Sequence, residues 1–270
     1  MRWHLTTDIE RFAEISATFL LSDPVRHTVF LTLIDTLRLQ GPQVYGRSEP
    51  FFGWWGPDAG EVSGVLMRTP PHPLILSEVP AEAIPALTEA LADRRPAAVN
   101  LLERDVPALT AGRPFTVGMR TRLHRLAALT PLPAAGAART ATDADRSLLA
   151  GWVEAFHESI GERPAGDFVG ARLAYGGITL WEAGGVPVAM AARTRVRAGM
   201  ARIQHVWTPP EHRRQGYGGA VTAAATRAAL ADGAADVALF TDVANPTSNA
   251  LYQRLGYRPI EDRAVVEFSS

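Results

Sequence analysis

Arg213, Arg214, Gly216, Gly218 and Gly219 stand between a run that reads as a strand, Met200 to Trp207, and an apolar run, Val221 to Leu230, that reads as a helix. A strand, a basic glycine-containing turn and a helix form a seat for a pyrophosphate. Glycines let the backbone turn tightly and approach a ligand closely. The N–H groups of the helix's first turn point at an anion, and the helix dipole favours negative charge there. The arginines add charge-assisted hydrogen bonds to phosphate oxygens. A phosphorylated cofactor is therefore expected along Arg213-Arg214-Gln215-Gly216-Tyr217-Gly218-Gly219-Ala220. A Walker loop is excluded because it needs a lysine and the chain has none. In a dinucleotide fingerprint the third glycine would fall elsewhere.

The remaining pattern is R-x-x-G-x-G, carried by Arg213, Gly216 and Gly218. Downstream, after an apolar strand over Asp236 to Val243, comes Asn245-Pro246-Thr247-Ser248-Asn249-Ala250-Leu251-Tyr252-Gln253-Arg254-Leu255-Gly256-Tyr257. On these two motifs, in order and at the family's spacing, the chain resembles the GNAT superfamily of acyl-CoA-dependent N-acyltransferases. The second segment resembles N-x-x-[AS]-x-x-L-Y-x-x-L-G-[FY] throughout. Asn245 or Thr247 suits a helix N-cap, and Gly256 suits the left-handed end of that helix. The resemblance implies acetyl-CoA as co-substrate, with no metal. It places Val206, Trp207, Thr208, Asn245, Ser248 and Tyr252 on the cofactor together with residues 213–220. It also implies that Tyr252 reprotonates the departing thiolate.

N-acylation needs the amine deprotonated, the thioester carbonyl polarised and the two reactants held together. Backbone N–H groups around Val206 to Thr208, freed where neighbouring strands splay, are expected to polarise the carbonyl. Members of this family that carry a base on the fourth strand usually use Glu, whereas this strand reads Arg202-Ile203-Gln204-His205-Val206-Trp207. Strand alternation puts His205 on a face with Ile203 and Trp207, which suits either a base or a packed core histidine. Glu158, with His157 and Glu154 near the end of the preceding helix, is a further candidate, as is Asp242; a solvated helix face explains Glu154, His157 and Glu158 equally well. Arg193, Arg195 and Arg197 alternate on one strand face, with a solvated edge as the default reading.

The elements that must position these groups follow the GNAT order from Arg139 onward. A helix spans Asp145 to Ile160, with Leu148, Leu149, Trp152, Val153 and Phe156 at helical spacing. Strands over Ile178 to Glu182 and Val186 to Arg195 form a hairpin about Gly184-Gly185, and a final strand covers Arg263 to Phe268. The Pro/Ala/Gly-rich stretch 130–138 reads as a linker, giving units 1–129 and 139–270. In the first, a helix is expected from Asp23 to Leu39, opened by Asp23-Pro24. Strands follow at Phe51 to Trp55, Glu61 to Arg68 and Leu74 to Val79, with a turn over 57–60, then a helix from Pro80 to Asp93. Strands at Val99 to Leu102 and Thr116 to Leu126 close the set. That rhythm mirrors a GNAT domain, yet no phosphate turn follows Leu76-Ser77-Glu78-Val79. The expectation is an α/β (α+β) GNAT fold with a mixed, mostly antiparallel sheet flanked by helices, in two GNAT-like halves. The first is either a degenerate copy that shapes the substrate cleft or an unrelated α+β cap. Phe51, Phe52, Trp54 and Trp55 divide between core and an acceptor pocket.

With 270 residues, 47% hydrophobic and 20% charged, the chain has the make-up of a globular protein. Its net charge of −1 gives no case for nucleic acid or an anionic membrane. The absence of cysteine removes disulfides, thiolate catalysis and Cys-based metal sites. The opening residues lack a signal-peptide pattern and no run is long enough to span a bilayer, so a cytoplasmic protein is expected. All 27 basic residues are arginine, which matches coding bias from a GC-rich genome and lowers the information in any one of them. The expected function is transfer of acetyl from acetyl-CoA to a primary amine, most simply of a small molecule, by a monomer or homodimer. Two other readings stay open: a mycothiol-synthase-like or aminoacyl-type tandem transferase, and a non-catalytic CoA-binding sensor.

Overall fold

The computed structural model describes residues 1–58, 60–161 and 166–268. The chain divides into two compact units, each treated by itself below. The first comprises Met1–Arg122, Asp242–Ala244 and Glu261–Ser270, and the second Leu123–Thr241 and Asn245–Ile260.

In the first unit the order is β1 (Arg2–Thr6), α1 (Ile9–Ser22), α2 (Thr28–Gln40), β2 (Phe51–Gly56), β3 (Gly64–Arg68), β4 (Leu74–Leu76), α3 (Ala83–Ala90), β5 (Ala98–Leu102), α4 (Val106–Thr110) and β6 (Phe115–Leu126). In the second it is β7 (Ala137–Thr140), α5 (Arg146–Ser159), α6 (Phe168–Leu173), β8 (Ile178–Ala183), β9 (Val186–Arg193), β10 (Met200–Trp207), α7 (Tyr217–Ala231), β11 (Asp236–Asp242), α8 (Pro246–Arg254) and β12 (Tyr257–Phe268). The second series repeats the first element by element. Strands β1 to β4 pair antiparallel, and β4 then pairs parallel with β5. Strands β7 to β10 likewise pair antiparallel, and β10 then pairs parallel with β11. A parallel pair needs a crossover, and α3 and α7 supply it. The residues of β12 from Glu261 onward belong to the first unit, and within it Arg263 to Glu267 pair antiparallel with β5.

The strands of each unit are covered on both faces, which explains why they are apolar throughout rather than alternating. Phe51, Phe52, Trp54 and Trp55 of β2 are all buried. Phe51 and Trp55 pack with Leu74, Leu87 and Leu101, whereas Phe52 and Trp54 pack with Phe12, Phe30 and Val65. All four are therefore core, and the expected division with a pocket does not hold. In the second unit Leu149, Val153, Leu180 and Met190 fill one side. Val221, Ala225, Leu239 and Tyr257 fill the other. Ala220, Ala223, Ala224, Ala225 and Ala229 let α7 lie close to the sheet while favouring helix. Enlarging one of them, as in Ala225→Leu, is expected to cost about 1–3 kcal/mol through overpacking.

Several boundaries differ from the sequence reading. Asp23-Pro24 does not open a helix: Asp23 is the C-cap of α1, and its Oδ1 accepts from Arg26 N–H in the turn before α2. The expected helix starts at Thr28 instead, and a helix that was not expected, α1, precedes it, capped by Asp8, whose carboxylate accepts from Glu10 and Arg11 N–H. The helix expected from Pro80 begins at Ala83, and Ala137 and Ala138, inside the expected linker, belong to β7. Arg193 is not on a solvated edge. It is 6% exposed, with both Nε and a terminal nitrogen on Asp232 and a further bond to the Gly176 carbonyl. Of the turn expected over 57–60, residue 59 lies outside the described residues.

Candidate active site

The basic turn is built as a strand-to-helix connection that forces left-handed backbone. Gly216 is the N-cap of α7 with φ 84°, and Arg214 is also left-handed with φ 63°. The first helical bond runs from Ala220 N–H to the Gly216 carbonyl at 3.1 Å. The N–H groups of Tyr217, Gly218 and Gly219 precede it and are the orphan donors of a helix start. The glycines have separate tasks. A Cβ at Gly218 would meet only Thr208 Oγ1 at 3.4 Å, so its openness serves close approach. A Cβ at Gly219 would come 3.0 Å from Leu251 Cδ1 and 3.3 Å from Leu132 Cδ1, so it packs inward. Tyr217 and Ala220 are also buried in the core. Arg213, Arg214 and Gln215 are exposed. Arg213 Nε donates to the Thr208 carbonyl at 3.0 Å and its guanidinium lies 5.1 Å from the Trp207 ring, which pins the turn to the strand end.

The strand that feeds this turn is bent. Pairing with β11 runs from Met200↔Asp236 to Ile203↔Leu239 and stops, although β10 continues to Trp207. Against β9, Gln204 faces Ala192 and Trp207 faces Met190, so a β-bulge holds His205 and Val206. His205 has φ 49°. The alternation expected along this strand therefore fails at His205, because a left-handed residue turns the side chain away from the strand's period-two pattern; His is among the residues that tolerate this conformation. Beyond the last β10–β11 pair, Val206, Trp207 and Thr208 are half-buried.

His205 meets His157 there, Nε2 to Nε2 at 3.0 Å. Phe156 and Phe168 enclose His205, with ring centroids at 4.8 and 3.9 Å. Burial lowers the His205 pKa to about 3, helped by His157, Arg172 and Arg202. Arg172 stacks on Phe168 at 4.5 Å and, with the Gln204 amide oxygen turned toward it, donates from Nε at 3.2 Å and a terminal nitrogen at 2.8 Å. Phe168 and Arg172 were not singled out in the sequence, and Phe156 only as one of the apolar residues at helical spacing. The signal for α6 was Asp167, whose carboxylate caps the helix through Gly170 N–H at 2.8 Å.

The second motif forms α8. Asn245, not Thr247, is its N-cap, with Oδ1 accepting from Ser248 N–H at 3.0 Å. Gly256 ends it with φ 100°, and a Cβ there would strike the Ala128 carbonyl. Tyr252 is buried on α8 near Thr222 of α7, with its ring 6.2 Å from that of Tyr257. Burial pushes its hydroxyl up to about 12. Glu154 and Glu158 are exposed on α5. Asp242 Oδ1 accepts from Ala244 N–H at 2.8 Å and closes a turn. Among the described residues no cluster of three or more His, Cys, Asp or Glu is placed to hold a metal, and no helix is long and apolar enough to cross a membrane.

The corresponding place in the first unit is different. Between β4 and α3 the chain carries Glu78, Pro80 and Glu82 in place of glycine and arginine. Arg263, 6% exposed, fills the end of the β4–β5 pair: its guanidinium donates to the Leu76 carbonyl at 2.5 Å, to Asn100 Oδ1 at 2.9 Å and to Glu261 at 3.2 Å.

Residues 145–257 match the family model of the Acetyltransferase (GNAT) family. That segment holds α5, the bulged strand, the basic turn and α8, and the family it matches is one for which acetyl transfer is the general reaction. Among curated proteins no sequence matches the chain. Solved structures share its fold. A GCN5-related N-acetyltransferase from Kribbella flavida is 22% identical, TM-score 0.55, over 89% of this chain and 96% of its own. A GNAT-family acetyltransferase from Colwellia psychrerythraea is 13% identical, TM-score 0.65, over 100% of each. A tandem GNAT protein from the clavulanic acid biosynthesis pathway is 14% identical, TM-score 0.57, over 99% of this chain and 98% of its own.

Proposed function

We propose that the second unit transfers acetyl from acetyl-CoA to the primary amine of a small molecule, with His157 as base and Tyr252 as acid. The observation that carries this reading is the parted β10–β11 ladder, with a left-handed Gly216 turn at its end and the His157–His205 pair on its bulge. These residues fit the co-substrate: orphan N–H groups of Tyr217, Gly218 and Gly219 with Arg213 and Arg214 for the pyrophosphate, and the strand end from Val206 to Thr208 for the thioester carbonyl. Acetyl-CoA supplies an activated acyl carbon and a thiolate leaving group. His205 stays neutral and holds the His157 ring, which accepts the proton of the incoming ammonium. Tyr252 keeps its proton at neutral pH and is the donor on the opposite, α8 side. The first unit, with Arg263 filling its strand ends and Glu78 and Glu82 in its turn, is read as a GNAT copy without a phosphate seat.

One observation favours a sensor instead: Tyr252 is buried in the core, 8% exposed. Calorimetric titration with acetyl-CoA, CoA and longer acyl-CoAs, joined to thiol release over an amine panel, separates the readings. Saturable acetyl-CoA binding with amine-dependent CoA release is the expected result. Binding without release across the panel would favour the sensor, and no binding would overturn both.

A further inference from the structure

The first unit contains a cavity of about 350 Å³ beside the C-terminal end of α3, the start of β5 and α4. Leu87, Leu91, Val99 and Leu109 line it, each no more than 5% exposed. Two exposed arginines, Arg95 and Arg113, complete the lining with Phe268. The Arg113 guanidinium lies 3.8 Å from the centroid of the Phe268 ring, so an aromatic face rather than an acid positions it. Arg95 donates from Nε to the Ala92 carbonyl at 3.1 Å, which orients its guanidinium without using its charge. Neither has an acid within ion-pair distance among the described residues. In the same unit Arg2, Arg26, Arg38, Arg104, Arg120 and Arg122 each do. An apolar cavity of this size is at the lower end of small-molecule sites, roughly 300–1,000 Å³, where a few fixed polar groups set orientation.

We infer that this cavity binds an amphipathic monoanion, a medium-chain carboxylate, with its hydrocarbon among Leu87, Leu91, Val99 and Leu109 and its carboxylate on Arg95 and Arg113. A planar guanidinium matches a carboxylate in geometry as well as charge. The site uses none of the residues of the basic turn or the histidine pair, so it stands whether or not the second unit is a transferase.

The test is titration of the full chain with hexanoate, octanoate and 1-octanol, below their aggregation limits, followed by calorimetry or NMR. Octanoate is expected to bind saturably, roughly fifteenfold more tightly than hexanoate, because each of its two extra methylenes contributes about a fourfold gain when buried. The double variant Arg95→Gln/Arg113→Gln changes two surface side chains and leaves the apolar lining intact. It should weaken octanoate at least tenfold and leave 1-octanol unchanged, and saturating CoA should not displace octanoate. No saturable octanoate binding, equal binding by the double variant, or displacement by CoA would each overturn the assignment.

Discussion

His205 Nε2 and His157 Nε2 lie 3.0 Å apart, so one proton can sit between them and two cannot. Enclosed by Phe156 and Phe168, His205 is the one that stays neutral, at about 3. His157, half-buried, is the partner that faces it. His157→Asn is expected to lower kcat/KM by roughly 10²–10⁴, the usual range for a general base, with acetyl-CoA affinity unchanged. His205→Asn should act through position: a smaller loss, with the acid limb of the pH–rate profile moved. If the double variant keeps wild-type kcat/KM, the base is neither histidine, and Glu154 and Glu158 become the residues to test.

The same burial makes an acid-lability prediction. The unfolded His205 pKa is 6.5 and the folded value about 3, so the unfolded chain binds the proton first as pH falls. The stability held by neutral His205 is complete above pH 6.5 and is lost progressively as pH falls toward 3, at up to about 1.4 kcal/mol per pH unit. Urea unfolding at pH 7 and pH 5 should show a smaller difference for His205→Asn than for the wild type. His27 has its pKa lowered by burial too, so a residual slope is expected. Identical slopes in variant and wild type would show that His205 is not held neutral.

Gly216→Glu puts a side chain on a residue at φ 84° and a negative charge at the start of α7. Backbone strain there costs about 1–2 kcal/mol, and the carboxylate would sit where phosphate oxygens belong. CoA binding should disappear, with the melting temperature lowered by only a few degrees. Gly218→Glu should remove binding with less strain, since a Cβ there has room. Unchanged affinity in both variants would place the cofactor elsewhere.

How much of this could be read from the sequence divides along the range of the interactions. The caps at Asn245 and Gly256 and the left-handed Gly216 are local, and each residue type announces its backbone. The bulge at His205 is not local: it rests on the register between β9 and β10, which a period-two reading assumes away. The meeting of His157 and His205, 48 residues apart, needs α5 laid beside that bulge. Arg193 looked solvated because its partner Asp232 lies on another element. Helix α1 was missed, although Asp8 as N-cap with Phe12, Ser16 and Leu20 on one face carried its signal. Asp23-Pro24 offered a competing start, and only α1 ending there shows that the dipeptide closes a helix.

Tyr252→Phe tests the acid. Because burial raises the hydroxyl to about 12, it remains protonated through the working range, and no alkaline break near 10 should belong to it. Removing it should lower kcat by roughly tenfold or more while acetyl-CoA affinity holds, the pattern of an interaction made only in the transition state. Equal loss of affinity and rate would mean that Tyr252 supports α8 against α7 and moves no proton.

Arg139 anchors the start of the second unit. Its terminal nitrogens each donate to a carboxylate oxygen of Asp145 at 2.7 Å, and its Nε donates to Glu182 at 2.7 Å. Asp145 also closes the capping box with Thr142 ahead of α5. The Arg139 hydrogen bonds hold the Asp145 carboxyl down at about 2. The stability this supplies is present above the ordinary value of 3.8 and is lost as pH falls through 2. Asp145→Ala removes the cap and leaves Arg139 without its bidentate partner, at an expected cost of about 2–4 kcal/mol. Asp145→Asn should cost less, because the amide oxygen can still accept from Thr142 N–H. Urea unfolding at pH 7 orders the three proteins. An Asn variant as unstable as the Ala variant would assign the whole effect to the ion pair, and an Asn variant equal to wild type would assign it to the cap.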